Sequence, residues 1–384
     1  MLHPDTNSFA YKSRAGLRRA RLVFWIFKHK NISDFLQFLL KIALKLRLPI
    51  DFILKKTAYG HFVAGETIKK SEPVIQSLGK YGVDSILDYS VEGGKDEAGF
   101  RHAVEETKRT IDNAVKNKFI PFAVFKPSAL TYEWVLKQKK TDELKAQTDF
   151  FESRMFELFD YAAANSVPLL VDAEDVDFQD IIDHIVEKGM QKYNQSSAIV
   201  FQTLQMYRVD RLEYLQGLFK QASEYGYIPG IKLVRGAYME KERERAKAAG
   251  KPSPIYPDKD STDKAYNKAL EICMQHYPGL VVFNGTHNWE SSEYLTRLMK
   301  EKGLDNNDKN TYFAQLYGMS DELSFSLARE SYNVAKYLPY GPVKQVMPYL
   351  MRRAEENSSV SEQAEKEYRL VVNEIKRRKH KKVW

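Results

Sequence analysis

The sequence predicts an α/β protein, a (β/α)8 TIM-like barrel with an N-terminal helical arm. Three observations predict it. After Tyr59, eight short apolar runs rich in β-branched residues recur, each ending in polar or Gly positions. A helix-length amphipathic segment separates each run from the next. No G-x-G-x-x-G turn occurs anywhere in the 384 residues, which argues against an open doubly wound sheet. Parallel strands buried on both faces read as continuous apolar runs, and eight strand–helix units over about 300 residues suit a closed barrel.

The elements follow in order. Residues 1–58 read as the arm: Leu17-Arg-Arg-Ala-Arg-Leu-Val-Phe-Trp-Ile-Phe27 is apolar on one side and basic on the other. Ser33-Asp34 then offers an N-cap for a second helix, Phe35 to Leu48, stopped near Pro49. Asp5 is the lone acid among the first 33 residues, so a transit peptide competes. The second apolar helix follows without a cleavage boundary, and a retained arm is expected, packed on the body or lying on a membrane surface. The strands expected for the catalytic barrel of residues 59–360 are Asp84–Ser90, Ile120–Lys126, Val167–Asp172, Ala198–Gln202, Gly230–Arg235, Leu280–Asn284, Thr311–Leu316 and Val334–Leu338. A helical pattern from Pro342 to Asn357 follows the last strand closely. Residues 361–384 end the chain as a basic helix or tail, whose Lys-Arg-Arg-Lys-His-Lys-Lys run reads as solvated charge.

The formal charge of +8 hints at an anionic macromolecule, but its distribution says otherwise. Residues 1–56 carry 12 basic and 3 acidic side chains, and residues 376–382 carry six more cations, so the body between is acidic. A basic nucleic-acid-binding protein is the reading this disfavours. No run of about 18 apolar residues exists to span a bilayer. The one cysteine, Cys273, forms no intrachain disulfide, and no Cys/His spacing suits zinc, so a reducing compartment and no metal are expected.

In a barrel of this kind the site is built at the C-terminal ends of the strands. The polar residues there are Glu92, Lys126, Asp172, Gln202, Lys232, Arg235, Thr286, His287, Asn288, Gln315 and Tyr337. Arg352 and Arg353, on the helix after the eighth strand, diverge by about 100°, so both could close on one carboxylate from two sides, or one could bind it while the other pairs with Glu355, Glu356 or a distant acid. So many cations around one mouth suit a small anionic ligand.

With these residues aligned, the sequence resembles the proline dehydrogenases. Lys232-Leu-Val-Arg-Gly-Ala-Tyr238 and Tyr349-Leu-Met-Arg-Arg-Ala-Glu-Glu-Asn357 are the most specific matches. Asp88-Tyr-Ser-Val-Glu-Gly93, Lys126-Pro-Ser-Ala-Leu130, Asp172-Ala-Glu174, Thr286-His-Asn288 and Gln315-Leu-Tyr-Gly-Met319 support them in the same order. The resemblance implies FAD across the barrel mouth and oxidation of L-proline to Δ1-pyrroline-5-carboxylate, with hydride passing from C5 to flavin N5 and quinone reoxidising the flavin. It implies that Arg352 and Arg353 bind the proline carboxylate, with Lys126 and Asp172 supporting them and Glu92 gating the site through Arg352. Tyr337, Leu316 and Tyr238 would form the pocket wall, and Gln202, Lys232, Arg235, Thr286, His287 and Asn288 would contact FAD. Lys232 and Met239 stand where bifunctional bacterial members carry Arg and Trp. The chain is too short for their second module, so a separate pyrroline-5-carboxylate dehydrogenase is expected to take the product. The competing activity within the superfamily is hydroxyproline dehydrogenation, which the bulk of Tyr337 disfavours. The expected location is cytoplasmic with peripheral membrane contact, and the matrix side of the mitochondrial inner membrane is the second choice.

Overall fold

The computed structural model describes residues 2–3, 8–46, 48–91, 96–139, 141–359 and 361–380. The N-terminal segment holds α1 (Arg14–Lys28), α2 (Lys30–Lys45), α3 (Asp51–Lys56) and α4 (Ala58–Phe62), and α5 (Ile68–Gly79) leads into the barrel. Strands and helices then alternate through β1 (Asp84–Tyr89), α6 (Glu97–Lys116), β2 (Ala123–Phe125), α7 (Glu133–Leu136), α8 (Leu144–Ala164), β3 (Leu169–Val171) and α9 (Val176–Tyr193). They continue through β4 (Val200–Gln205), α10 (Arg211–Tyr225), β5 (Gly230–Val234), α11 (Met239–Ala248), α12 (Lys259–Gln275) and β6 (Val281–Gly285). The last turn of the barrel is α13 (Trp289–Glu301), β7 (Thr311–Leu316), α14 (Asp321–Arg329) and β8 (Val334–Tyr340), after which α15 (Met347–Ser359) and α16 (Ser361–His380) follow.

All eight expected strands form, and parallel ladders join them in the order β1-β8-β7-β6-β5-β4-β3-β2. Across the remaining seam the Ser85 amide donates to the Phe119 carbonyl at 2.8 Å, just ahead of β2. The period of two along each strand sends Phe122, Val124, Leu170, Phe201, Phe283, Ala314, Ala335 and Tyr337 into the barrel interior. Phe122 meets Phe201, Phe283 and Tyr312 edge to face, with centroids 5.5, 5.2 and 4.7 Å apart. This aromatic plug fills the end opposite the mouth, in the geometry that ring quadrupoles favour.

A second core lies outside the barrel. Leu17, Ala20, Phe24 and Phe27, spaced on one face of α1, pack with Met347, Tyr349 and Leu350 of α15 and Ala364 and Val371 of α16. Each large side chain so buried contributes roughly 1.5–3 kcal/mol. The basic run at the chain end is therefore not simply solvated charge. Lys376–His380 is the last turn of α16, where Arg377 and Arg378 pair with Glu374. Arg378 also donates to the Phe9 and Lys12 carbonyls at 2.7 and 2.8 Å.

Asp321 pins this outer layer to the barrel. Its carboxylate lies 3.0 Å from Lys12 Nζ and 3.1 Å from Lys336 Nζ, and accepts from Tyr11 Oη at 2.9 Å. Lys336 is fully buried on the outward side of β8. Burial alone would raise the Asp321 pKa, but the two lysines overrule it and hold the carboxyl down to about 2. A carboxyl depressed on folding stabilises the fold above its unfolded pKa, and that contribution is lost as pH falls from about 4 to about 2. Asp321→Asn, which leaves both ammonium groups buried without their carboxylate, is expected to lower the unfolding free energy by about 3–5 kcal/mol in urea titrations. It should also flatten the acid limb of the stability curve between about pH 4 and 2.

Candidate active site

The inward parity that builds the aromatic plug also brings charged residues to the mouth. Asp88 faces inward near the end of β1, Lys126 and Asp172 directly follow β2 and β3, and Lys232 sits on β5. They form one chain of ion pairs. Lys126 Nζ lies 3.4 Å from Asp88 Oδ1 and 2.6 Å from Asp172 Oδ2, and Lys232 Nζ lies 2.6 Å from Asp172 Oδ1. Burial would raise the Asp172 carboxyl, but Lys126 and Lys232 overcome it and hold the pKa at about 2. Burial pulls Lys232 below the usual lysine range against the attraction of Asp172. Lys126 goes the other way, because Asp172 and Asp88 together outweigh its desolvation.

Tyr337 of β8 completes the inner wall. Its ring lies 4.6 Å from Lys232 Nζ and 6.2 Å from the Phe283 centroid. Its Oη is buried and has no hydrogen-bond partner among the described residues. Leu316, at the end of β7, packs between the barrel interior and the outer core. Tyr238, after β5, donates to Glu174 at 3.2 Å, and Ser128 bonds the other oxygen of the same carboxylate. Burial raises the Glu174 pKa. Gly236, just before Tyr238, has φ +139°, and an added Cβ would stand 2.5 Å from the Tyr207 ring, so only glycine fits this loop.

Arg235 is held from several sides. Its Nε donates to Asp263 at 2.8 Å, its Nη2 to Ser291 at 3.0 Å and its Nη1 to Thr286, and the guanidinium covers the Tyr266 ring. Thr286 Oγ1 in turn accepts from the Asn288 amide at 3.1 Å. Asn288 caps α13, its side chain accepting from the Ser291 amide at 2.9 Å. His287 Nδ1 lies 2.9 Å from Ser320 Oγ. Burial, with Lys336, Arg353 and Arg235 nearby, pushes its pKa down to about 3, so the ring is neutral. Arg353 is buried on α15 with its guanidinium 5.4 Å from the Tyr349 ring, and Arg352 beside it is half-buried. Glu92 lies outside the described residues.

Three expectations change. The lysines of the mouth and Arg235 are balanced by Asp88, Asp172 and Asp263, so they supply no surplus positive charge. Gln202 does not face the mouth. Its amide donates to Asp183 on α9, in a buried network with Gln179 and Arg211. β4 runs on to Gln205, and a strand read as ending at Gln202 picks a residue of the wrong parity. Gln205 faces inward: its amide donates to the Glu174 carbonyl at 2.7 Å and its oxygen accepts from the Ala237 amide at 3.2 Å. Gln315 is likewise turned outward, bonded to the Thr286 carbonyl and Ser324. Asp88, Glu174 and Gln205 are the site residues that sequence reasoning missed, although Asp88 and Glu174 stand within matched motifs. Gln202→Ala is expected to lower the unfolding free energy by about 1–2 kcal/mol through lost buried hydrogen bonds and to leave ligand binding at the mouth intact. Loss of ligand binding at unchanged stability would return this side chain to the site.

The proline dehydrogenase family model matches residues 72–366. The carbapenem antibiotics biosynthesis protein CarD of Pectobacterium carotovorum subsp. carotovorum is 35% identical over 322 residues, 83% of either chain. Mitochondrial proline dehydrogenase 1 of Dictyostelium discoideum is 32% identical over 401 residues, covering 90% of this chain and 70% of that protein. Proline utilization A of Bdellovibrio bacteriovorus, in a crystal structure inactivated by N-propargylglycine, superposes with a TM-score of 0.72 at 18% identity. That match covers 78% of this chain but 32% of the larger protein, and it speaks for the fold. On the family match and the Dictyostelium relative, the chain belongs to the proline dehydrogenase family.

Proposed function

We propose that the chain oxidises L-proline to Δ1-pyrroline-5-carboxylate with FAD bound at the barrel mouth, and that quinone is the final electron acceptor. Proline dehydrogenation follows from family membership. The observation that carries the reading is the partly buried chain Asp88–Lys126–Asp172–Lys232, bordered by Tyr337 and its hydroxyl, which has no partner among the described residues.

The donor set fits a flavin dinucleotide. Lys232 and Gln205 are buried inward-facing donors at the strand ends, and Arg235, Thr286 and neutral His287 follow β5 and β6. In the proposal Lys232, Gln205, Arg235, Thr286 and His287 hold FAD, while Asn288 contributes by capping α13. When bound, FAD supplies the two-electron acceptor for the C5 hydride of proline.

The chain's own residues bind and position. Arg352 and Arg353 hold the proline carboxylate, since charge-assisted bonds fix both distance and direction. Glu92, after β1, is proposed to gate the site through Arg352. Tyr337 and Leu316 form the wall against which the pyrrolidine ring lies, and Tyr238, held by Glu174, closes it. Asp172, with its pKa at about 2 and bonded to two lysines, is no proton acceptor near neutral pH. It keeps Lys126 and Lys232 in place, so that catalysis rests on orientation and electrostatics rather than on a strong base. The product then passes to a separate pyrroline-5-carboxylate dehydrogenase. A quinone acceptor places the protein at a membrane surface, on the cytoplasmic side or on the matrix side of a mitochondrial inner membrane.

Purified protein is expected to be yellow, with flavin absorbance bleached anaerobically by L-proline. Protein that stays colourless after incubation with FAD would overturn the reading. Arg352→Met and Arg353→Met should each raise the KM for proline about 10- to 100-fold, through bonds worth roughly 1.5–3 kcal/mol. Tyr337 leaves little room for a C4 hydroxyl, so kcat/KM for trans-4-hydroxyproline should fall at least about tenfold below that for proline. Comparable values would favour hydroxyproline dehydrogenation instead.

A further inference from the structure

One surface lies outside the site and outside both cores. Eleven of the seventeen exposed large apolar side chains among the described residues fall between Leu22 and Ile53. On α2, Phe35, Phe38, Leu39 and Ile42 are 59, 59, 43 and 39% exposed, and on α3 Phe52 and Ile53 are 65 and 62% exposed. An ordinary solvated helix turns such residues inward. Here the inward side is already filled: Leu40 packs on the outer core and Ser33 is buried. Helix α2 is therefore apolar on two faces.

At 100° per residue, Phe35, Phe38, Leu39 and Ile42 share an arc of about 100°. Exposed Lys30, Lys41 and Lys45 line one border of that arc, with Asp34 among them, so the border is net positive. On α3, Lys55 and Lys56 follow the exposed pair, and Lys56 Nζ lies 3.9 Å from the Phe52 ring centroid. Among the described residues no helix is long and apolar enough to cross a membrane. A broad apolar face with a cationic edge suits the boundary of an anionic bilayer, where rings enter the acyl region and lysines meet headgroups. A second copy of the chain would bring the same positive border against its own kind.

We propose that the outer faces of α2 and α3 dock on an anionic lipid surface and thereby hold the barrel mouth at the membrane. The position follows from the packing: α2 lies against α15, the helix that leaves β8 at the mouth and carries Arg352 and Arg353. A lipid-dissolved acceptor then reaches the site without the protein leaving the surface. This last step builds on the quinone reading, whereas docking itself is measured without turnover.

Flotation of the full-length, FAD-loaded protein with phosphatidylcholine vesicles, with and without phosphatidylglycerol, tests the proposal. Wild type should float with the anionic vesicles, much less with the neutral ones, and less in high salt. Phe38→Glu/Phe52→Glu should stay unbound, and Lys41→Gln/Lys45→Gln should weaken partitioning about fivefold per lysine. Both variants should retain wild-type proline turnover with a soluble dye, which also shows that they fold. Flotation of Phe38→Glu/Phe52→Glu equal to wild type would overturn the proposal. So would a wild-type dimer that this variant splits while neither protein binds vesicles. Vesicle binding by a wild type without dye-linked turnover would instead count against the proposed activity and leave docking standing.

Discussion

The carboxylate of Asp172, shared between Lys126 and Lys232, is the interaction on which the site depends. Two ammonium groups inside a barrel would repel each other and forfeit their hydration, and one carboxylate bonded to both at 2.6 Å removes much of that penalty. Asp88 balances the remaining charge, so the chain is electrically neutral. Because its members come from β1, β2, β3 and β5 or the positions just after them, the chain also sets how those strand ends stand relative to one another. The wall residue Tyr337 takes its position from the same group, with Lys232 over its ring.

Around that chain, the loops of the mouth are tied together by side-chain hydrogen bonds. Glu174 joins the loop after β2, through Ser128, to the loop after β5, through Tyr238. Gln205 joins β4 to the loops after β3 and β5, bonding the Glu174 carbonyl and the Ala237 amide. Arg235 does the same for β5 and β6 through Thr286 and Asp263. On the outside, Asp321 repeats the device of one carboxylate between two buried lysines, and there it fastens the N-terminal segment to β8 and α14. Mouth and outer layer are thus organised by the same electrostatic solution, used once for the site and once for stability.

The strands were legible because burial on both faces leaves a strong composition signal, and all eight form where apolar runs predicted them. Their ends were less legible. At β4 the difference between ending at Gln202 and at Gln205 inverts the face of the selected side chain, because parity changes with every residue. Asp88 and Glu174 stood within recognisable motifs, yet nothing local marks them as partners of Lys126 and Tyr238. Those contacts span 38 and 64 positions in the chain. Asn288 was legible as a polar residue at a strand end, but its capping of α13 shows only in backbone geometry.

By itself the sequence determined the barrel class, the strand order along the chain, the family, and part of the set of polar residues at the strand ends. Hydrophobic periodicity and motif order are local properties, and they survive being read one residue after another. Only the tertiary structure decided which of those residues face inward, how the lysines are neutralised, and that the basic last turn of α16 binds the N-terminal segment. It also decided that α2, once packed by its inner side, keeps an apolar face outward. Pairing and exposure are relations between distant segments, set by parity, packing and the free energy of burying charge, and no single stretch of chain carries them.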